Sequence, residues 1–509
     1  MEPSDFMSGA SETGSLTAHS NQESEFVGSS SGVYFINTVR QAFSKDTAGC
    51  SSQPGQELGF PSAEDTLVGG ESSPRDKEND KNQHQYHGRL PSLAMATSPS
   101  GDGTGVSRWE YAPSVASQLG QAPPLTMARE LMMAYFKVWH PLFPFLHGPT
   151  FLQAMELLYS DPASPSSPAA ADAFSADKHS HACWSTIFQC VFNLASLLRP
   201  DLHLPPESQI DSPSSIYPLL GTLSCRHDTP SLQALLAAQL YLVAKMSLRT
   251  ASTVGGCVLR SMLHAGLHRC PFRFKQLSSH DRQLRKRIFW CAYAIDRYLS
   301  QVLGLPLGIQ DSDIDVCPPG VRETHSSTFV SKPDLPIKEN TPEAPDQPKR
   351  EIALASYVES GKLTGRALEL FHKSITVRSI RRSSVLFLTS DVHKWWNSLP
   401  RELQSSTVTS APLADRPFDF APFFTVLYHH LILLINRPFL SLSPSSPEFC
   451  SALQTCIGAA RGILTALRSQ VNGHQELFWP GFLSAAWMSG LVLAFACQLK
   501  QYVLGMGYQ

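Results

Sequence analysis

From Leu125 onward, apolar side chains recur at steps of three and four, and that spacing restricts the fold to packed α-helices. Ala128, Leu131, Met132, Tyr135 and Phe136 share one helical face. Pro141 and Pro144 end that helix, and Pro149 opens another through Leu152 and Leu157. A buried helix is expected through Trp184, Ile187, Val191 and Leu194. Thr229-Pro230 reads as an N-cap with proline at the first helical position, ahead of a stripe from Leu232 to Met246. Val254, Val258 and Met262 mark the next helix. Ser278, with Asp281 as its capping partner, opens another that Gly304 and Pro306 stop. The period resumes over Ile352 to Leu386, Phe420 to Asn436, Pro447 to Val471 and Gly481 to Leu504. No sustained alternation bounded by hairpin turns appears, so the predicted class is all-α.

Outside these segments the composition shifts. Residues 1–24 and 44–124 are rich in Ser, Gly, Pro, Gln and charge, and cannot bury enough surface to offset their ordering entropy. They are expected to be disordered, the second as a linker. Between them, residues 25–43 carry Val33, Phe35, Ile36, Val39 and Phe43, enough for a short arm that docks on a core. The helical domain is expected over 125–509, with loops at 161–178, 318–350 and 403–418. At 509 residues, length alone suggests two to four domains, or fewer with disordered flanks. A formal net charge of −2 means that the chain as a whole is not an electrostatic glove for nucleic acid. The acidic, polar start Met1 to Asp5 is no secretory signal, and the cysteines stand singly in apolar segments, as in a reducing cytosolic or nuclear compartment.

Each apparent site motif has a plainer reading. Gly28-Ser29-Ser30-Ser31-Gly32 fits G-x-S-x-G, which would make Ser30 the nucleophile of a hydrolase. That chemistry needs a core strand before it and a parallel sheet, so a Gly/Ser turn is the better account. Cys183 and Cys190 are spaced C-x6-C, but no C-x2-C pair occurs in the chain and the interval between them is apolar. Buried cysteines on a helix are expected instead. Asp311, Asp313 and Asp315 resemble half a calcium loop, yet Val316 and Arg322 stand where glycine and glutamate are needed. Arg282, Arg285, Lys286 and Arg287 could meet phosphates, although a solvated or salt-bridged helix face is the simpler reading. Gly481 to Cys497 is nearly long enough to span a bilayer, which would make the chain a membrane-associated scaffold; a buried core helix is preferred. No catalytic, cofactor-binding or metal residue is assigned on these grounds.

Taken together, several segments resemble the regulatory, or middle homology, region of fungal zinc-cluster transcription factors, nearest to the xylanolytic-activator-like subtype. The pieces are the arm with Gly28, Ser31 and Gly32; His140-Pro141-Leu142-Phe143-Pro144; and His268-Arg269. Next come Arg287-Ile288-Phe289-Trp290, Asp296-Arg297, Gly304-Leu305-Pro306, Asp313-Ile314-Asp315 and Arg437-Pro438. The resemblance covers the arm and roughly residues 125–500, in the family's order. It implies an all-helical regulator of RNA polymerase II transcription in the nucleus, with no catalytic set.

It also implies DNA binding through a zinc cluster of six cysteines, and the only cysteine before Cys183 is Cys50. Zinc is therefore expected only with a cluster outside these residues, and promoter DNA only through a missing or partner head. Co-regulators, a homo- or heterodimer partner and a small-molecule effector complete the expected partners, with no membrane among them.

Overall fold

The computed structural model describes residues 15–18, 24–32, 34–36, 39–40, 119–159, 178–321, 323–325, 351–374, 380–405, 417–472 and 478–499. Most of the expected linker and most of the three expected loops lie outside these residues, but the linker's end is ordered: Leu119 is buried in the core. One pair of short strands, β1 (Ser15–Ala18) and β2 (Ser24–Val27), runs antiparallel with Ser15 opposite Val27. No alternating signal marks this pair, which falls mostly in the segment expected to be disordered. At four residues each the strands are too short to display one.

The rest of the described fold is helical. Helices α1 (Leu125–Val138), α2 (Gly148–Leu158) and α3 (Lys178–Ser196) come first, and the short α4 (Leu220–Ser224) leads into α5 (Thr229–Ala244) and α6 (Leu248–His264). Helix α7 (Ser279–Leu303) follows, then α8 (Ile352–Phe371), α9 (Arg382–Ser398) and the single turn α10 (Arg401–Gln404). Helices α11 (Ala421–Asn436), α12 (Pro447–Asn472) and α13 (Gly481–Gln498) complete it. The α3, α5 and α6 helices pack as one group, and α11, α12 and α13 as another. Helix α7 touches α5 and α6 on one side and α8 on the other, and so joins them. Among the described residues one apolar core runs from Phe35 to Ala496.

Local chemistry explains the boundaries. The Ser278 hydroxyl accepts the Asp281 amide (3.0 Å) at the start of α7, and Gly304 ends it in the left-handed region at φ +69°. The cap of α5 lies one residue earlier than expected: the Asp228 carboxylate, not Thr229, accepts the Ser231 amide (3.0 Å). Every residue of α5 from Ser231 to Val243 is buried, so its apolar stripe was an underestimate. Its two glutamines donate inside the core, Gln233 to the Phe145 carbonyl (2.7 Å) and Gln239 to that of Ala251 (3.3 Å), while the Gln239 Oε1 is left without a partner among the described residues. The run expected from Ile352 to Leu386 is two helices. The apolar period fails at His372-Lys373-Ser374, leaving no face to bury there.

Three helical stretches, Ala421–Ser441, Pro447–Asn472 and Gly481–Gln498, are long and apolar enough to cross a membrane, where the sequence reading singled out only the last. They pack on one another, and Phe423, Cys456, Ile463 and Val492 among their side chains belong to the common core.

Candidate functional site: the arm dock and the ion-paired face of α7

The arm ends in a junction between the C-terminus of α7, the turn Arg437–Ser441 and α13. The Gly28 amide donates to the Leu303 carbonyl (3.2 Å), which the end of α7 leaves without a helical partner. The Ser30 hydroxyl donates to another carbonyl of that last turn, that of Gln301 (3.0 Å). Arg437, 6% exposed, donates to the Ser29 and Ser30 carbonyls (3.2 and 2.6 Å) and lies over the Phe35 ring at 5.8 Å. Phe35 in turn meets Phe495 of α13 edge to face, with ring centroids 6.3 Å apart. Gly32 sits against Met488, and Pro438 is buried beside Arg437.

These contacts dispose of the nucleophile reading. Ser30 is 2% exposed and its hydroxyl is committed to a backbone carbonyl. Ser29, not the central serine of the motif, shares a 2.7 Å hydrogen bond with His372 Nδ1, and it too is buried. A nucleophile needs an open approach for its substrate and donors for an oxyanion; here the backbone beside both serines presents carbonyls to Arg437.

A second constellation lies along α7. Arg297, 1% exposed, donates to Asp296 (2.7 Å), to the Ile309 carbonyl (2.8 Å) and to Asp311 (2.6 Å), and stacks on Tyr293 at 4.1 Å. The Tyr293 hydroxyl donates to the same Asp311 oxygen (2.9 Å). Asp296 also accepts the Gly308 amide (3.2 Å). Burial pushes the Asp296 carboxyl above its ordinary range, and Arg297 opposes that. Gly361 and Gly365 of α8 give the arginine its room. The turn with Pro306 closes back onto α7, its carbonyl accepting from Ser300 (3.2 Å).

The three aspartates of the apparent calcium loop face different ways. Asp311 serves Arg297, Asp313 is exposed, and Asp315 pairs with Arg273 (3.0 Å). The Asp315 amide donates to the His268 carbonyl (3.0 Å), and a parallel bridge joins Asp315 to Arg269. The basic residues of the same helix are spoken for within the chain. Arg282 and Arg285 donate to the Lys275 and Ala265 carbonyls, Lys286 pairs with Glu323 (3.7 Å), and Arg287 pairs with Glu351 (2.9 Å). Lys286 is buried, so the group is a partly buried ion-paired face and not a phosphate-reading patch. Phe289 and Trp290 fill the core behind it, and Trp290 Nε1 donates to the Cys317 carbonyl (3.0 Å).

The remaining motif is a buried loop. His140 donates from Nε2 to the Leu146 carbonyl (3.0 Å), closing a turn that buries Phe143 and Pro144, with Pro141 half-buried. Phe143 stacks on Trp479 with centroids 5.8 Å apart. Burial lowers the His140 pKa to about 4. Cys183 and Cys190 are buried on α3, as expected, and burial pushes the Cys183 thiol up to about 12.

The motif residues therefore fall into structural clusters: arm and Arg437, Arg297 and its partners, Asp315 with His268, and the His140 loop. Sequence reasoning missed His372, Gln301 and Met488 as arm partners; each is a lone residue inside a helical or polar stretch and carries no spacing signal. Near the arm, Gln301 donates to His430 Nε2 (3.0 Å), and both line a crevice of about 240 Å³ with Ser360 and Thr364. Open solvent makes up most of that space, and the enclosed part, about 20 Å³, has room for about one water molecule.

Residues 132–405 match the family model described as the fungal specific transcription factor domain. The chain belongs to that family. Among its relatives is the probable transcription factor FUP6 of Fusarium proliferatum, 40% identical over 534 residues, an alignment covering 96% of this chain and 72% of that protein. The transcriptional activator protein acu-15 of Neurospora crassa is 23% identical over 69% of this chain and 35% of its own length. Activator of stress genes 1 of Saccharomyces cerevisiae is 24% identical over 51% of this chain and 26% of its own. The chain thus spans about a third or less of the length of the latter two. No solved structure matches it. As a member of the fungal transcription factor domain family the chain is a transcription regulator, and neither the hydrolase nor the membrane-scaffold reading is supported.

Proposed function

We propose that this chain acts in the nucleus as the regulatory domain of a promoter-bound factor, and that the docked arm is its mechanical output. On this reading the domain does no chemistry of its own. DNA is met through a zinc-cluster head, in the same protein or in a partner, and co-regulators meet the helical surface. The observation carrying the proposal is the clasp of Arg437 on Ser29 and Ser30 beside the Gly28–Leu303 hydrogen bond. Such a clasp holds whatever precedes residue 28 in a fixed relation to α7, and a buried guanidinium on two carbonyls is a two-state contact: made or lost.

The test fuses a heterologous DNA-binding module to the N-terminus of the chain and reads a promoter reporter. Arg437→Gln is expected to release the arm and change reporter output at equal protein level, with arm amides exchanging faster. Unchanged output with a demonstrably released arm would refute the coupling.

A further inference from the structure

Four potential metal ligands converge where the loop after α7 meets the turn after α6, and none belongs to the arm dock. We infer that Cys270, Cys317, Glu323 and His325 form a structural site for one thiophilic divalent cation, zinc in a reducing compartment. The parallel bridge between Arg269 and Asp315 places Cys270 and Cys317 one and two residues beyond its ends. One donor atom from each of the four lies within 4.8 Å of all the others. Cys270 Sγ is 3.1 Å from Glu323 Oε1, Cys317 Sγ is 3.4 Å from His325 Nδ1, and that nitrogen is 3.3 Å from Glu323 Oε1. Zinc bonds of about 2.3 Å to sulfur and about 2.0–2.1 Å to nitrogen or oxygen give tetrahedral edges of about 3.3–3.8 Å. These three distances fall on or just inside those edges and the other three pairs lie within 4.8 Å, so ligation draws the donors together by about 1 Å or less.

The surroundings fit a bound cation. His325 turns Nδ1 toward the cluster and Nε2 toward Asp315 (3.5 Å), the carboxylate–histidine arrangement that orients a ligating imidazole. Asp315 is itself held by Arg273 at 3.0 Å. The Trp290 hydrogen bond to the Cys317 carbonyl fixes the second thiol's backbone. Two thiolates and one carboxylate would leave a dication with one negative charge in excess, and Lys286, 3.7 Å from Glu323 Oε2, offsets it. Both cysteines are buried.

The other mixed group, His179 with Cys183 and Cys225, lacks this convergence. Cys183 is 3.5 Å from one ring nitrogen and Cys225 is 3.6 Å from the other, so the thiols lie on opposite edges of the imidazole. The inferred site also differs from the binuclear cluster of zinc-cluster factors: two cysteines, one glutamate and one histidine would hold a single ion, where that cluster takes six thiolates.

The full chain, purified under reducing conditions from zinc-supplemented cells and dialysed, tests this by elemental analysis and by cobalt(II) substitution. The expected result is one zinc per chain, and for cobalt a thiolate charge-transfer band with intense tetrahedral d–d bands. Cys270→Ser and His325→Ala should each lose the metal while keeping helical circular dichroism; Cys450→Ser, on α12, should keep it. Asp315→Asn should weaken cobalt affinity about 10–100-fold. If Cys270→Ser misfolds, His325→Ala decides alone, since His325 sits in a loop and is half-buried. Substoichiometric zinc in the parent, metal retained by His325→Ala, or a Cys270–Cys317 disulfide in place of metal would overturn the assignment.

Discussion

Gly28 and Gly304 lie backbone against backbone: a Cβ on Gly28 would fall 1.8 Å from the Gly304 carbonyl oxygen, and one on Gly304 would fall 2.3 Å from Gly28 Cα. No side-chain rotation relieves an overlap between two main chains. Gly28→Ala should therefore detach the arm and not merely loosen it. The expected signs are rapid amide exchange over residues 26–40 and new protease cleavage there, with α5 and α7 still protected. An alanine variant with native arm protection would show that the approach is less tight than described. Gly304 carries a second constraint, its φ of +69°, so Gly304→Ala should be the more damaging change.

Arg297→Leu should cost about 3–5 kcal/mol, because it strands Asp296 in a buried site without its partner. Chemical denaturation measures this directly. Arg297→Lys should not rescue it, since one ammonium cannot reach Asp296, Asp311 and the Ile309 carbonyl together. Adding Asp296→Asn to Arg297→Leu should recover part of the loss; strict additivity in this double-mutant cycle would mean that the pair is not coupled.

Two partly buried histidines set an acid limit. Burial lowers His430 to about 4, with Arg437 adding to the effect, and burial lowers His140 to about 4. Between there and the ordinary value of 6.5 the unfolded chain binds protons that the folded chain refuses. Their contribution is thus complete above about pH 6.5 and is lost as pH falls toward 4, at about 1.4 kcal/mol per unit of pH for each ring. His430→Gln, which can still accept from Gln301, should flatten the decline in urea midpoint between pH 6.5 and pH 5. An unchanged slope would remove His430 from the account.

Ser30→Ala should lose about 1 kcal/mol through the Gln301 carbonyl it leaves unpaired, and no enzymatic activity should be lost with it. A fluorophosphonate probe should not label the parent chain. An adduct on Ser30 would reinstate the nucleophile.

Helices whose one face is apolar, such as α1 and α7, were readable because burial on that face writes its period into the sequence. The cap of α7 was readable for the same local reason, whereas that of α5 was misplaced by one residue because Asp228 and Thr229 are both good caps. Most pairings at the arm dock were not readable. Ser29 and His372 stand 343 positions apart, and Arg437 and Ser30 stand 407 apart. Such contacts depend on how α7, α11 and α13 come together, which no spacing encodes. The metal ligands escaped notice for a related reason: Cys270 and Cys317 are brought together by one parallel bridge and not by a short motif.

The adjacent residues Lys286 and Arg287 hold Glu323 and Glu351, so the segment between them departs from and returns to one turn of one helix. Its two anchors stay side by side whatever its length. Doubling a loop adds only about 0.6 kcal/mol of closure entropy. An insertion beyond His325 therefore leaves both ion pairs in place, which makes residues 326–350 the natural place to graft a tag, a fluorophore or a recognition peptide.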